Sequence, residues 1–428
     1  MRAPSPSIDE RSIVFSLTED PLSFTTSQLK LLGDFFSLKI KDTEITFVND
    51  PIAIESIFND GDNYKKKKSE SEEQQYLGMM AGICAMFTPE QVIHYTECMS
   101  AAATRSIERI KNLPSNTDID IFHEMMRLTL EIEIETLYSV SLSDLFSDYP
   151  ELDLYDVCSD FMLADRVYGF DPVYTGLNEC LPPFSPRSGS EAAKSKLLSF
   201  VAKVLTTFKK NPKEKTLMDY LVNNMTAEQA TQTALVILGA HHEVAAPAIS
   251  RAWQLLSENS EVEMKLASEL SNVLGGRPAS QNDLPNLKYT SMVMCEVRRL
   301  YPCAWMVMRW SREEREINNY LIPKDSVVMM SQWVSHYDAR HFSQPLKFIP
   351  ERWTDESIQG LSGVPYFPFS KGIRSCAGEQ FAEMQDTLIL STMAQHIKFI
   401  MSSNQDLTPL ARRSNAPQNG ILGKVVIK

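Results

Sequence analysis

Phe367-Pro-Phe-Ser-Lys-Gly-Ile-Arg-Ser-Cys-Ala-Gly378 is the stretch on which the reading of this chain turns. Seven cysteines occur in 428 residues, and only Cys376 sits in a loop built like the seat of a metal ligand. Gly372 permits a positive φ and hence a tight turn. Arg374 puts a fixed cation just before the sulfur, and Gly378 removes a side chain just after it. Glu379 to Ile400 reads as one helix, so Cys376 lies near a helix N-terminus, where free N–H groups and the helix dipole favour a thiolate. Read alone, the same cysteine is a small buried hydrophobe. The glycine and arginine framing is what sets it apart.

The totals narrow the classes. Hydrophobic residues make up 43% and charged residues 23%, an ordinary globular balance, and the length suits a single large domain over residues 1–428. A net charge of −13 argues against nucleic acid as a partner and gives no support for an anionic membrane surface. The cysteines are odd in number and scattered, with no paired metal spacing, which fits free thiols in a reducing cytoplasm. Met1 to Ser16 has no apolar run long enough for a signal peptide or membrane anchor.

Along the chain, residues 1–10 are polar and Pro-containing and are expected to fray. Asp20 to Leu32 reads as an amphipathic helix. Phe36-Ser-Leu-Lys-Ile-Lys41 and Glu44-Ile-Thr-Phe-Val-Asn49 alternate apolar and polar residues about a polar turn, which predicts a hairpin. Pro51 to Phe58 opens another helix. Lys65 to Lys68, followed by Ser69-Glu-Ser-Glu-Glu73, is a charge run expected as a solvated loop. Helical spacing returns over Pro89 to Lys111 and Ile119 to Tyr138, and Leu181 to Ser190 is a Pro/Ser-rich connection. Thr216 to Asn223 is a short helix. Thr226-Ala-Glu-Gln229 has capping-box form and starts the longest helix, which runs to about Leu256, roughly 45 Å. Ser260 to Leu274 and Leu287 to Tyr301 are helices stopped by Gly275-Gly276 and Pro302. Short apolar runs from Trp305 to Val334 predict strands.

The pattern Phe-x-x-Gly-x-Arg-x-Cys-x-Gly, from Phe369 to Gly378, closely resembles the haem-binding loop of the cytochrome P-450 family, and from Thr226 to about Ile400 the order of motifs follows that family. The resemblance implies its mainly α fold with a smaller β component. It implies haem b, with Cys376 as axial ligand of the iron, Phe369, Gly372 and Gly378 framing the loop, and Arg374 and Arg309 as propionate cations. Glu296-Val-Arg-Arg299 and Pro350-Glu-Arg-Trp353 are similar to the family's Glu-x-x-Arg helix and Pro-Glu-Arg-Phe segment. By that likeness Glu296, Arg299 and Arg352 form a buried charge cluster behind the cysteine loop. One carboxylate between two guanidinium groups can satisfy its lone pairs out of water.

Ala240-His-His-Glu-Val244 falls midway along the long helix, where the family reads Ala-Gly-x-Glu/Asp-Thr. Ala240 and Val244 are four apart and share a face. The resemblance turns that face to the haem and makes Ala240, Glu243 and Val244 the catalytic set, with Ala240 leaving room for oxygen and substrate and Glu243 relaying protons. Val244 stands where the family has a hydroxyl, so proton delivery falls to water, a substrate hydroxyl or Glu243. Pro247 withholds a donor from the Glu243 carbonyl and is expected to kink the helix. His241 and His242 point about 100° apart and lack metal-site spacing. The family also holds a propionate from a basic helix after the first strands. Here no Lys or Arg lies between Lys68 and Arg105, so the segment Leu77 to Glu90 is expected to be shortened or lost, and with it part of the docking face for electron donors. Met79, Met80, Phe87, Met162, Val236 and Trp305 are pocket or core residues, with the core reading favoured.

The function implied is a soluble, bacterial-type monooxygenase. It would insert one atom of O2 into a lipophilic small molecule of terpenoid, fatty-acid or polyketide type, in secondary metabolism. Electrons would come from a ferredoxin with its reductase or from a flavodoxin-type donor. Two alternatives keep the fold: a haem-thiolate enzyme that rearranges, dehydrates, couples or uses peroxide, and a haem-binding sensor without turnover.

Overall fold

A computed structural model describes all residues except 67–68, 85–88, 115–116, 169–189, 215, 355–362, 412–414 and 418, and gives no side-chain description at 18, 75, 89, 90, 92, 163–168, 190, 243 and 410. Aspartates start the first helices. Asp9, Asp20 and Asp50 each accept a backbone N–H at the head of α1 (Glu10–Glu19), α2 (Pro21–Leu32) and α3 (Pro51–Asn59), satisfying donors that the first turn leaves open. Between α2 and α3, β1 (Phe35–Ile40) and β2 (Thr43–Val48) form an antiparallel hairpin. A two-residue strand β3 (Tyr64–Lys65) leads into α4 (Glu70–Cys84) and α5 (Pro89–Lys111). Then come β4 (Asp118–Asp120), α6 (Ile121–Glu135), α7 (Leu142–Asp148), α8 (Leu154–Tyr168), α9 (Ser190–Lys210) and α10 (Leu217–Asn224).

The long helix α11 (Ala227–Glu258) opens with the capping box between Thr226 and Gln229 and continues without interruption through Pro247. It packs on α6, α9, α12 (Ser260–Val273) and α13 (Lys288–Leu300), in the large apolar cluster that forms the helical core. β5 (Val307–Ser311), β6 (Arg315–Ile317), β7 (Tyr320–Ile322) and β8 (Val327–Met330) follow, then α14 (Gln332–His336). The main sheet has the order β1-β2-β8-β5-β3, with β2 and β8 parallel and its other pairs antiparallel. Two smaller apolar clusters seat this sheet on α1–α3. The chain closes with α15 (Glu379–Met393), β9 (Ile397–Met401), β10 (Pro409–Ala411), β11 (Asn415–Pro417) and β12 (Leu422–Ile427), where β12 lies between β4 and β9.

The architecture is mainly α with a smaller β part, as the sequence implies. Three local expectations differ. Residues 1–10 do not fray along their whole length: Ala3 is buried, Ser37 N–H donates to the Pro4 carbonyl at 2.8 Å, and the Met1 ammonium donates to the Asn319 carbonyl at 2.6 Å. Backbone pairing with sheet edges holds these polar residues, and α1 begins within the same stretch. The helix after Cys376 ends at Met393 rather than Ile400, because Ile397–Met401 pairs with β12 and tertiary strand pairing overrides local propensity. Of the segment Leu77 to Glu90, Leu77 to Cys84 forms the end of α4, whose first turn carries Glu70, Glu72 and Glu73, and residues 85–88 lie outside the described residues. The lysine run is only partly a solvated loop, since Lys65 belongs to β3 and Lys66 is half-buried; Lys67 and Lys68 lie outside the described residues. Leu181 to 189 lies outside them too.

Candidate active site

The cysteine loop is pinned at its root. The Phe367 ring is fully buried, its carbonyl accepts from Gln332 Nε2 at 2.6 Å, and its N–H donates to His336 Nε2 at 3.1 Å. His336 must therefore keep Nε2 unprotonated, and burial pushes its pKa down to about 3, which keeps it neutral. Gly372 has φ +72°, and a Cβ there would fall on the Phe58 carbonyl, so both backbone and packing demand glycine. Cys376 N–H donates to the Phe369 carbonyl at 2.8 Å, closing the loop, and the Phe369 ring lies 5.3 Å from the Arg298 guanidinium. Gly378 is different. Its φ is −91°, and a Cβ there would meet nothing nearer than Cys376 Sγ at 3.9 Å, so the protein alone does not require glycine.

Cys376 is exposed at the head of α15. Burial of the surrounding recess is the largest influence on its thiol and pushes the pKa up, against the Gly378 N–H and the Lys66 charge, which favour the thiolate. The N–H at the helix head favours the thiolate, as expected, and burial opposes it; a bound metal would settle the balance, because coordination deprotonates a thiol.

Around the loop stand three cations. Arg374 is buried, with Nε donating to the Glu73 carboxylate of α4 and Nη1 to the Gly61 carbonyl at 2.6 Å. Arg309 on β5 is buried and donates to the Met308 carbonyl and Ser370 Oγ, each at 2.8 Å. Lys66 Nζ donates to Tyr76 Oη at 2.7 Å. Desolvation lowers Arg309 to about 10 and Lys66 to about 8. In the sequence Lys66 and Glu73 are only members of a charge run that, like His94, could replace the missing basic helix, and Tyr76 is not singled out. The alternation that turns Lys65 and Lys66 to opposite sides of a strand end was the signal available.

Glu296, Arg299 and Arg352 come together. Glu296 and Arg299 have no exposed surface, and Glu296 Oε1 accepts from Arg299 Nη2 (2.8 Å), Ile349 N (3.1 Å) and Arg352 Nε (3.2 Å). Oε2 accepts from Arg299 Nε (2.9 Å) and from Trp353 Nε1 (3.0 Å), a partner not anticipated although Trp353 ends the quoted motif. Arg299 Nη1 reaches on to the His336 and Pro345 carbonyls, both at 2.8 Å. The cluster thus touches α14, the element that clamps Phe367.

On α11, Ala240 is exposed and Val244 half-buried, and with Val236 (45% exposed) they form an open apolar stripe at intervals of four, beside the buried Ile237, Leu238 and His242. Glu243 belongs to the same turn, and its side chain lies outside the described residues. His241 Nδ1 meets Glu133 Oε2 and its Nε2 meets Gln385 Oε1, both at 2.9 Å, which ties α11 to α6 and α15. Burial raises the Glu133 carboxyl, with His241 opposing. His242 is fully buried, held near neutrality by burial with its pKa down at about 3, and its Nδ1 lies 3.1 Å from Thr129 Oγ1. Among the described residues no group of three His, Cys, Asp or Glu side chains could hold a metal ion. Trp305 is core, Met162 packs against the core, Met79 and Met80 are half-buried, and Phe87 lies outside the described residues. Among the described residues no helix is long and apolar enough to cross a membrane.

A family model described as Cytochrome P450 matches residues 12–422. Cyclooctatin synthase of Streptomyces melanosporofaciens is 29% identical over 286 residues, 64% of this chain and 61% of that protein. Cyclooctat-9-en-7-ol 5-monooxygenase of the same organism is 25% identical over 337 residues, covering 76% of this chain and 70% of that one. The structure of retinoic acid bound cyanobacterial CYP120A1 superposes with a TM-score of 0.81 over 100% of this chain and 99% of that chain at 18% identity, a likeness of fold.

Proposed function

Because the chain belongs to the cytochrome P-450 family, we propose that it is a haem-thiolate monooxygenase that inserts one atom of O2 into a lipophilic small molecule. The observation that carries the reading is Cys376, presented at the head of α15 in a loop closed on Phe369 and clamped at Phe367. The residues present fit haem b. Cys376 offers the sulfur ligand, Gly378 keeps its flank low without any demand from protein packing, and Lys66, Arg309 and Arg374 outnumber the one carboxylate among them. When bound, haem b supplies an iron that activates dioxygen, made electron-rich by a thiolate.

The chain's own residues do the rest. Arg309 serves the propionates while Arg374 beside it is held by Glu73, Phe369, Gly372 and Gly378 shape the seat, and Glu296, Arg299 and Arg352 brace it through α14. Ala240 and Val244 line the apolar stripe, and Glu243 carries protons. One similar protein is named as a monooxygenase of cyclooctat-9-en-7-ol, which supports a terpenoid among the substrate classes and a place in natural-product biosynthesis. The match to the first relative spans 61% of its length. Electrons come from a ferredoxin or flavodoxin-type donor. The test is the reduced, carbon-monoxide-treated protein: the red-shifted thiolate band is expected for wild type and lost in Cys376→Ser, and its absence from wild type would sink the reading.

A second reading, a haem-thiolate reaction other than oxygen insertion from O2 (rearrangement, dehydration, coupling or peroxide use), gains support from the hydroxyl-free stripe of Val236, Ala240 and Val244. Isotopic oxygen from O2 appearing in product excludes it. Val244→Thr then reports on proton supply: a higher ratio of product to NAD(P)H, by roughly two-fold or more, means that delivery limits the wild type.

A further inference from the structure

We infer that Lys66, steadied by Tyr76, is the cation that holds a haem propionate in this chain, supplying the charge that the acid-headed helix α4 lacks. The inference rests on the haem reading above. Its starting point is register. Tyr64 lies opposite Ser311 and Lys65 opposite Trp310; the ladder ends there, and Lys66 is the next residue, close enough to Arg309 to feel its charge. Side chains alternate along a strand. Lys65 turns to Glu70, 2.9 Å away, and Lys66 turns the other way, toward Arg309, Arg374 and Cys376.

Two like charges set close together repel, and burial adds to the cost. Both effects act on Lys66, whose pKa is lowered first by desolvation and then by Arg309. Among the described residues neither Lys66 nor Arg309 has a carboxylate partner: Lys66 donates to the Tyr76 hydroxyl and lies 4.9 Å from its ring centre, and Arg309 donates to a carbonyl and a serine. The third cation, Arg374, is engaged by Glu73. Among these four described side chains, Lys66, Arg309 and Arg374 against Glu73 leave two positive charges, and haem b brings two carboxylates. Charge-assisted bonds from Lys66 and Arg309 to those oxygens would turn a repulsive pair into a cradle. Tyr76 accepts from Nζ and fixes where the ammonium points.

The test uses the full chain, loaded with haem or with the dimethyl ester of iron protoporphyrin IX, which lacks both propionate charges. Haem transfer to excess apomyoglobin is followed by visible absorbance. Roughly ten-fold faster haem loss is expected from Lys66→Met, with the thiolate band retained, near wild-type retention in Lys66→Arg, and no change in Lys65→Met. Wild type should favour haem over the ester by a similar factor, and Lys66→Met should discriminate less. The wild-type and Lys66→Arg comparison stands even if Lys66→Met does not fold. Haem loss from Lys66→Met at the wild-type rate, or equal retention of haem and ester by wild type, overturns the inference and leaves the family reading intact; the second result would point to Lys66 as a site for a substrate carboxylate. A wild type that binds no haem overturns both.

Discussion

At the scale of single residues, Glu296 carries the heaviest structural duty. Its two oxygens accept five hydrogen bonds with no exposed surface. Glu296→Gln keeps the shape but leaves Arg299 and Arg352 without a counter-charge and turns an amide N–H toward donors. A loss of about 3–5 kcal/mol in urea unfolding is expected. His336 and His242 set the pH response. Both have folded-state pKa values near 3, well below the free-histidine value of 6.5, because burial opposes their charge. Between those limits the unfolded chain binds more protons than the folded one, so stability is full above about pH 6.5 and falls as the pH drops. The slope is about 1.4 kcal/mol per pH unit for each histidine. Asp386, raised by burial to about 6 despite its ion pair with Arg298, works the other way below that pH and offsets one of them. Unfolding midpoints measured from pH 7.5 to 5 should fall steeply, and His242→Phe should flatten the slope between pH 6.5 and 6.

At the scale of elements, α11 holds an internal contradiction. Pro247 lies inside an unbroken helix and cannot donate to the Glu243 carbonyl. Pro247→Ala restores that donor and is expected to stabilise the chain by up to about 3 kcal/mol, while lowering the ratio of product to NAD(P)H if the loosened turn serves proton delivery. Thermal melting and stoichiometry measured on the same variant separate the two effects. Elements with their own local code were legible: the Asp20-capped helix, the hairpin around Lys41, the capping box at Thr226. Those decided by distant partners were not. Ile397–Met401 reads as the tail of a helix until β12 is there to pair with it. Lys66 reads as solvent-facing until β5 brings Arg309 near. The Cys376 loop stood out because glycine, arginine and cysteine at fixed spacing are a local signal. The His241 contacts with Glu133 and Gln385 join three helices, and no spacing announces them.

At the scale of the whole molecule, one buried ion pair couples the first quarter of the chain to the cysteine loop. Glu73 and Arg374 are nearly without exposed side-chain surface. Glu73→Gln is expected to cost the unloaded chain about 3–5 kcal/mol and the haem-loaded chain less, since propionates supply the missing anions; paired urea titrations with and without haem check this. The same pair also sets a clock. Its members are 301 positions apart, so at roughly 5–20 residues per second a ribosome adds Arg374 about 15–60 s after it adds Glu73. For that interval α4 has no guanidinium to bury its carboxylate against, and the strand end at Lys66 has no β5. The N-terminal sheet edge must wait, open, for the last third of translation. A holding chaperone that covers this edge should therefore raise the yield of folded protein more than any gain in transcription.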